Sequence, residues 1–124
     1  MTVVVITPPA GIIDLDMAKA HLRVDHTDDD ALIEAFVDAA TSWLDGPSGW
    51  LGRSLGLQTL EARFDRFGCD FLALPYGPVV DIVSVKYDDA DGIEQTVSSG
   101  DYTLQAGDRG GVRAAYAAAW PSPR

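Results

Sequence analysis

The chain has 124 residues, 47% of them apolar, which is enough for one domain that buries roughly two thirds of the surface its unfolded chain exposes. Nineteen Asp and Glu residues against nine Lys and Arg residues give a net charge of −10, and the excess of acid is spread over both halves of the chain. A surface this negative repels phosphate, so the composition argues against a protein that binds DNA or RNA tightly.

The single cysteine, Cys69, excludes an internal disulfide, and no Cys/His spacing is typical of a zinc site. The opening residues, MTVVVITPPAG, are apolar over a short run, lack a basic residue and contain Pro8 and Pro9. They are therefore typical of neither a signal peptide nor a membrane span. We expect a chain that stays in a reducing cytoplasm.

The N-terminal half is predicted to be helical after an extended arm. Residues 1–12 are predicted to be an extended arm, either flexible or an edge strand, because the run from Val3 to Ile6 favours extended structure and Pro8-Pro9 cannot continue a helix. We expect the arm to be free to pair with a neighbouring subunit. A first helix is predicted at about residues 15–23, with Asp14 placed to cap its first turn.

A second helix is predicted at about residues 28–45, and the two helices, joined by a short connection, form a helical hairpin. Its apolar residues recur every three or four positions: Leu32, Ile33, Phe36, Val37, Ala40, Trp43 and Leu44. We expect this face, including Trp43, to be buried in the core. Gly46 and Pro47 are predicted to end the helix.

From about residue 58 onward the apolar period changes to two, which predicts strands. The segments concerned are TLEARFDRF, FLALP, VVDIVSVKY, DYTLQ and GVRAAYAAAW. The Asp91-Gly92 pair predicts a β-hairpin over residues 82–97. We therefore predict an α+β fold, with the N-terminal two-helix hairpin packed against a small antiparallel β-sheet. A single domain is expected over residues 13–121, followed by a disordered tail at residues 122–124.

The sequence HTDDDALI raises the question of a metal site, since Asp25 precedes it. A calcium loop that begins at Asp25 fails, because its sixth position is Asp30 instead of glycine and its twelfth is Phe36. Thr27 and Asp30 match the capping-box spacing of a helix start, and we favour that interpretation. A metal-dependent hydrolase that uses Asp25, His26 and Asp28 remains an open alternative.

No other residues form a credible catalytic set, so we predict neither an enzyme nor a cofactor. The serines lack the context of a nucleophile elbow, and no glycine-rich phosphate loop follows a strand. Trp50 lies beyond Gly46-Pro47 and close to Leu51 and Arg53, and Trp and Arg are enriched in protein–protein contacts. These three residues are a candidate interface, with intramolecular packing of Trp50 as the alternative. Val3 and Val5 of the arm are further candidates.

Several short motifs together resemble those of head-tail connector (adaptor) proteins of long-tailed phages, prophages and gene transfer agents. They are AKAHLRVD, the acidic helix start before ALI, GWLGR, the junction LPYGPV, and VSVKYDDADGIEQT, in this order within residues 13–121. Members of that family usually continue past the WP at 120 and 121 with a further strand and a helical segment, whereas this sequence ends at Arg124.

The resemblance implies a structural component of the virion instead of an enzyme. Such connectors assemble in the bacterial cytoplasm into a ring, usually of twelve subunits, that docks on the portal protein in the particle neck. They then receive stopper or tail proteins, and DNA passes through the channel without sequence-specific binding; no membrane is involved. An acidic cytoplasmic protein-binding module is the alternative that composition alone leaves open.

Overall fold

The computed structural model describes residues 1–68 and 70–123, and within them it contains two α-helices and seven β-strands. The helices are α1 (Leu15–Leu22) and α2 (Asp30–Leu44). The strands are β1 (Thr2–Thr7), β2 (Thr59–Arg63), β3 (Phe71–Ala73), β4 (Lys86–Asp88), β5 (Glu94–Thr96), β6 (Tyr102–Gln105) and β7 (Gly111–Ala114). The predicted α+β class is confirmed. Cys69 and Arg124, the last residue of the predicted tail, lie outside the described residues.

The chain divides into two compact units, one formed by residues 4–61 and the other by residues 1–3 with 62–124. The first holds both helices, and the second holds the strands from β3 to β7. The single domain expected over residues 13–121, with the helical hairpin packed on a sheet, stays a prediction.

Helix α1 begins where its sequence predicts. The side chain of Asp14 accepts a hydrogen bond from the backbone N–H of Met17 at 2.7 Å, which satisfies one of the free amides of the first turn. Arg23 ends the helix in the left-handed region, with φ of 58°, and its N–H donates to the carbonyl of Ala20. The predicted cap of α1 is therefore confirmed.

An ion pair joins the two helices of the hairpin. The ammonium group of Lys19, near the end of α1, lies 2.6 Å from a carboxylate oxygen of Asp30, the first residue of α2. The two side chains are only 15% and 29% exposed, so the pair is partly shielded from water. Each charge also suits its position, because a cation stabilises a helix C-terminus and an anion stabilises a helix N-terminus.

The capping box predicted at Thr27 and Asp30 is wrong, because Asp30 forms this ion pair instead. Helix α2 begins at Asp30, and Asp29 occupies the capping position without a side-chain hydrogen bond. Thr27 contributes only its backbone carbonyl, which accepts the N–H of Asp30 at 3.3 Å. The carboxylate of Asp30 is directed to Lys19, a residue eleven positions earlier that the local spacing does not reveal.

The strands form three small sheets. β1 pairs with β2, so the N-terminal segment is an edge strand, which is one of the two interpretations that its sequence allows. β3, β7 and β6 form an antiparallel sheet in that order, in which Val112 stands opposite both Leu72 and Leu104 and is 3% exposed. Val112 is thus the centre of the small core of this unit.

The third sheet is the predicted hairpin, which is confirmed but shorter than residues 82–97. β4 and β5 pair antiparallel around the Asp91-Gly92 turn. The N–H of Ile93 and the side-chain amide of Gln95 both donate to the carboxylate of Asp89, and they lower its pKa below the usual range. The residues before β4 do not form the predicted strand, and Val83 there is 84% exposed.

Candidate interaction surface

A buried carboxylate holds the loop of residues 45–58 that follows α2. Asp45 is 5% exposed, and its Oδ1 accepts a hydrogen bond from the backbone N–H of Leu55 at 2.6 Å. The side-chain amide of Gln58 lies 3.2 Å from both carboxylate oxygens. A carboxylate removed from water needs such donors, so Asp45 and the far end of the loop stabilise each other.

The same loop folds back over the C-terminal end of α2. The N–H of Trp50 donates to the carbonyl of Trp43 at 2.8 Å, and the N–H of Leu51 donates to the carbonyl of Leu44 at 3.3 Å. The last carbonyls of a helix have no partner within the helix, and here loop amides supply one. These hydrogen bonds therefore attach the loop to the C-terminal end of α2 and give it a defined conformation.

The glycines of the loop permit this close return. Gly46 has φ of 69°, a left-handed conformation in which side chains are strained, and its N–H donates to the carbonyl of Arg53 at 3.0 Å. A Cβ on Gly49 would lie 2.3 Å from the carbonyl oxygen of Asp45, closer than any real contact. In the motif GPSGWLGR, the backbone conformation thus requires glycine at Gly46 and Gly49, and Trp50 is exposed.

The loop presents the residues that the sequence marked as an interface. Trp50 is 76% exposed, Leu51 is 41% exposed, and Arg53 also lies on the surface. Intramolecular packing of Trp50, the alternative kept open above, is not what the structure shows. Exposing so much of an indole ring is unfavourable in an isolated molecule, which makes this position a candidate contact.

Helix α2 carries a second apolar face that the sequence analysis assigned to the core. Leu32, Phe36 and Trp43 are 52%, 65% and 71% exposed, and with Ala39 they form what we call the outer stripe. Their spacing of three or four residues places them on one side of the helix. The prediction that Trp43 is buried is therefore wrong.

The buried side of α2 is a different set of residues. Ile33 is 6% exposed, and Val37, Thr41 and Leu44 are half-buried along the same line. The apolar residues of both sides together span roughly 160° of the helix circumference, about one and a half times the arc that a surface helix needs to face a core. The unit of residues 4–61 covers about half of this arc and leaves the rest to solvent.

The first strand is also apolar and exposed. Val4, Val5 and Ile6 are 41%, 43% and 56% exposed, whereas Val3 is half-buried. Because β1 has one partner in its two-stranded sheet, its other edge carries no strand among the described residues. Unpaired apolar edges favour association with another chain. Of the two predicted contact residues, Val5 is thus the more accessible.

A cleft of about 130 Å³ beside Asp45 is a weaker candidate. It is lined by Val5, Pro9, Thr41, Ser42, Asp45, Gly46, Pro47, Ser48 and Gln58. Asp45, the charged residue of this lining, already bonds to Leu55 and Gln58. The cleft is therefore explained by the packing of the loop.

The acidic sequence around His26 does not assemble into a site. The imidazole nitrogens of His26 lie 4.0 Å from carboxylate oxygens of Asp28 and Asp29, and all three side chains are at least half exposed. Within residues 1–68 and 70–123, no group of three His, Cys, Asp or Glu side chains is placed to hold a metal ion. The hydrolase alternative built on Asp25, His26 and Asp28 gains no support from this geometry.

Comparison with known proteins identifies one family. Neither the curated proteins nor the solved structures contain a match. In the part of the chain that the structure describes, neither helix is long and apolar enough to span a bilayer. The model of the phage gp6-like head-tail connector protein family matches residues 12–76, more than half of the 124 residues, including α1, α2 and the loop of residues 45–58. The chain therefore belongs to the phage gp6-like head-tail connector protein family, whose members are structural phage proteins.

Proposed function

We propose that this chain is one subunit of a connector ring in the neck of a phage, prophage or gene-transfer-agent particle. In this proposal the ring, of twelve subunits in the assembled particle, docks on the portal protein and later receives stopper or tail proteins. The function is assembly, and no bond is made or broken in a substrate. A ring arises when each subunit contacts the next through two different surfaces and the rotation closes.

The observation that carries this proposal is the apolar surface within the family-matched segment. Trp43 and Trp50 are both more than two thirds exposed, and both belong to residues 12–76. Tryptophan is among the residues that contribute most to protein–protein affinity, because it removes a large area from water at a small cost in side-chain entropy. A chain that must bind other head and tail proteins needs such a surface.

The charge of the chain supports passage of DNA through the ring. A net charge of −10 on each subunit gives a ring a strongly negative potential. A polyanion that moves past a negative wall is repelled at close range and does not adhere. This agrees with a channel that DNA traverses without sequence-specific binding.

The proposal is tested by assembly with the portal protein of the same particle. We expect the full chain mixed with portal rings to form a second ring, visible by negative-stain microscopy and as added mass by light scattering. The double variant Trp50→Ala with Arg53→Ala should bind with at least about tenfold lower affinity, as expected for the centre of an interface. Val83→Ala, an exposed change far along the sequence, is the matched control.

Two results would count against the proposal. One is a folded chain that never adds mass to the portal at any concentration. The other is a one-to-one complex with a basic cytoplasmic protein that weakens steeply with salt, which is the behaviour of an acidic binding module.

A further inference from the structure

The outer stripe of α2 has no role in the contacts predicted from sequence, and its occupant can be inferred from charge. Leu32, Phe36, Ala39 and Trp43 include no charged residue, whereas the opposite side of the helix carries Glu34 and Asp38. Two copies of a chain with a net charge of −10 repel each other wherever acidic surfaces meet. Association of two copies is therefore favoured where neither presents charge.

A second uncharged surface lies on the N-terminal segment, whose Val4 and Ile6 belong to the same compact unit as α2. Residues 1–13 contain no charged side chain, and β1 occupies most of this segment. Val4 and Ile6, two residues apart on a strand, point to one face and are 41% and 56% exposed. Val3 and Val5 lie on the other face, where Val3 is half-buried and Val5, which is 43% exposed, lines the cleft beside Asp45. The face with Val4 and Ile6 is therefore the apolar side of β1 that is directed away from this cleft.

The area of the stripe is adequate for a subunit contact. An aromatic side chain buries about 150–250 Å², so the exposed parts of Phe36 and Trp43 amount to roughly 300 Å². One side of a standard interface buries about 800 Å², of which roughly 65% is apolar between identical subunits. The two rings of the stripe supply more than half of that apolar share, and Leu32 adds to it.

We propose that the outer stripe of α2 in one copy packs against the Val4 and Ile6 face of β1 in the next copy. This inference rests on the proposed ring, and the partner that it names is a second copy of this chain. The two surfaces differ, so the contact is heterologous and propagates from copy to copy, as ring closure requires. It also shifts the N-terminal contact from the predicted Val3 and Val5 to the opposite face of the strand.

The test is a complementation experiment with two variants of the full chain. The stripe variant carries Phe36→Ser and Trp43→Ser, and the strand variant carries Val4→Ser and Ile6→Ser. Val83→Ser, at a residue that is 84% exposed, is the control. Analytical ultracentrifugation over a concentration series at low and high salt gives the association constant, and thermal unfolding checks that each variant folds.

A heterologous contact between the stripe and the strand predicts a specific pattern of results. Wild type and Val83→Ser should associate, and more strongly at high salt, because salt screens the repulsion between acidic copies. Each double variant alone should associate at least about tenfold more weakly. Their equimolar mixture should form dimers and nothing larger, because one intact stripe then meets one intact strand and neither dimer end can extend.

Other results overturn the inference. Oligomers that persist in both variants place the contact elsewhere while leaving the proposed ring intact. If the equimolar mixture of the two variants does not form dimers, the stripe does not pair with the strand. Association itself raises the unfolding midpoint, so the relevant comparison is at a concentration where the wild type is monomeric. A variant that is unfolded there shows that these side chains are covered within one chain. A wild type that stays monomeric even at high salt also overturns it, whereas the proposed function is then judged separately by assembly on the portal.

Discussion

Replacement of Asp45 by alanine should destabilise the chain more than any other single loss of charge on or next to α2. The carboxylate is 5% exposed and accepts hydrogen bonds from the N–H of Leu55 and the amide of Gln58. A hydrogen bond to a charged group contributes about 1.5–3 kcal/mol, and its loss leaves two donors without their acceptor. Leu55 and Gln58 are near enough to the surface for water to satisfy part of this loss. We therefore expect a decrease of about 2–3 kcal/mol in the free energy of unfolding.

Two further variants make this expectation specific. Asp45→Asn keeps one acceptor oxygen for Leu55 and should cost about 1 kcal/mol. Asp38→Ala removes an exposed carboxylate from the middle of α2 and should change stability by less than about 0.5 kcal/mol. Urea denaturation followed by far-ultraviolet circular dichroism measures all three on the same scale. If Asp45→Ala and Asp38→Ala are equally stable, the carboxylate does not hold the loop and the reasoning is refuted.

Three smaller predictions concern the helix ends and the hairpin. Asp14→Ala should cost about 1 kcal/mol, because it removes an observed cap, whereas Thr27→Ala should cost less than about 0.5 kcal/mol; equal losses in urea denaturation would contradict the observed helix starts. Lys19→Met should lower the free energy of unfolding by about 1–2 kcal/mol, because it leaves Asp30 without its cation, and adding Asp30→Asn should recover part of that loss in a double-mutant cycle. If the losses of the two single variants simply add in the double variant, the two side chains do not interact. The pKa of the Asp89 carboxyl, measured by nuclear magnetic resonance, should lie below the usual aspartate value, and a normal value would contradict the hydrogen bonds at that turn. The stability that this carboxylate gives to the hairpin should therefore be present above about pH 4 and be lost as the pH falls through the lowered pKa.

Sequence patterns located the elements whose determinants are local. The Asp14 cap precedes α1 by one residue, Gly46 and Pro47 follow the end of α2 at Leu44, and the Asp91-Gly92 turn lies between β4 and β5. In each case a few neighbouring residues determine the backbone conformation, so a short window of sequence is sufficient.

The errors arose where contacts join distant residues. The apolar period of α2 correctly predicts a helix, but periodicity does not reveal how much of an apolar arc the rest of the chain covers. It therefore predicts that Trp43 lies in the core, although this residue is 71% exposed. Likewise, the bond from Lys19 to Asp30 and those from Leu55 and Gln58 to Asp45 join residues ten or more positions apart.

The surface that supports the proposed function was only partly accessible from sequence. Trp50, Leu51 and Arg53 were identified because a tryptophan and an arginine follow a helix-ending Gly-Pro pair, and all three are on the surface. The outer stripe was missed because an apolar residue on a helix is interpreted as core by default. An apolar arc of roughly 160° is the signal that part of this surface has to bind something else.

The central claim, that the chain is a connector in the particle neck, is tested most directly by locating it in the particle. Purified particles are labelled with gold-conjugated antibody against this chain and viewed by electron microscopy. The account predicts label at the single vertex where the tail joins the head, and loss of tail attachment when the gene for the chain is deleted. Label spread over the capsid or along the tail, or particles that lack the chain and still carry tails, would contradict it.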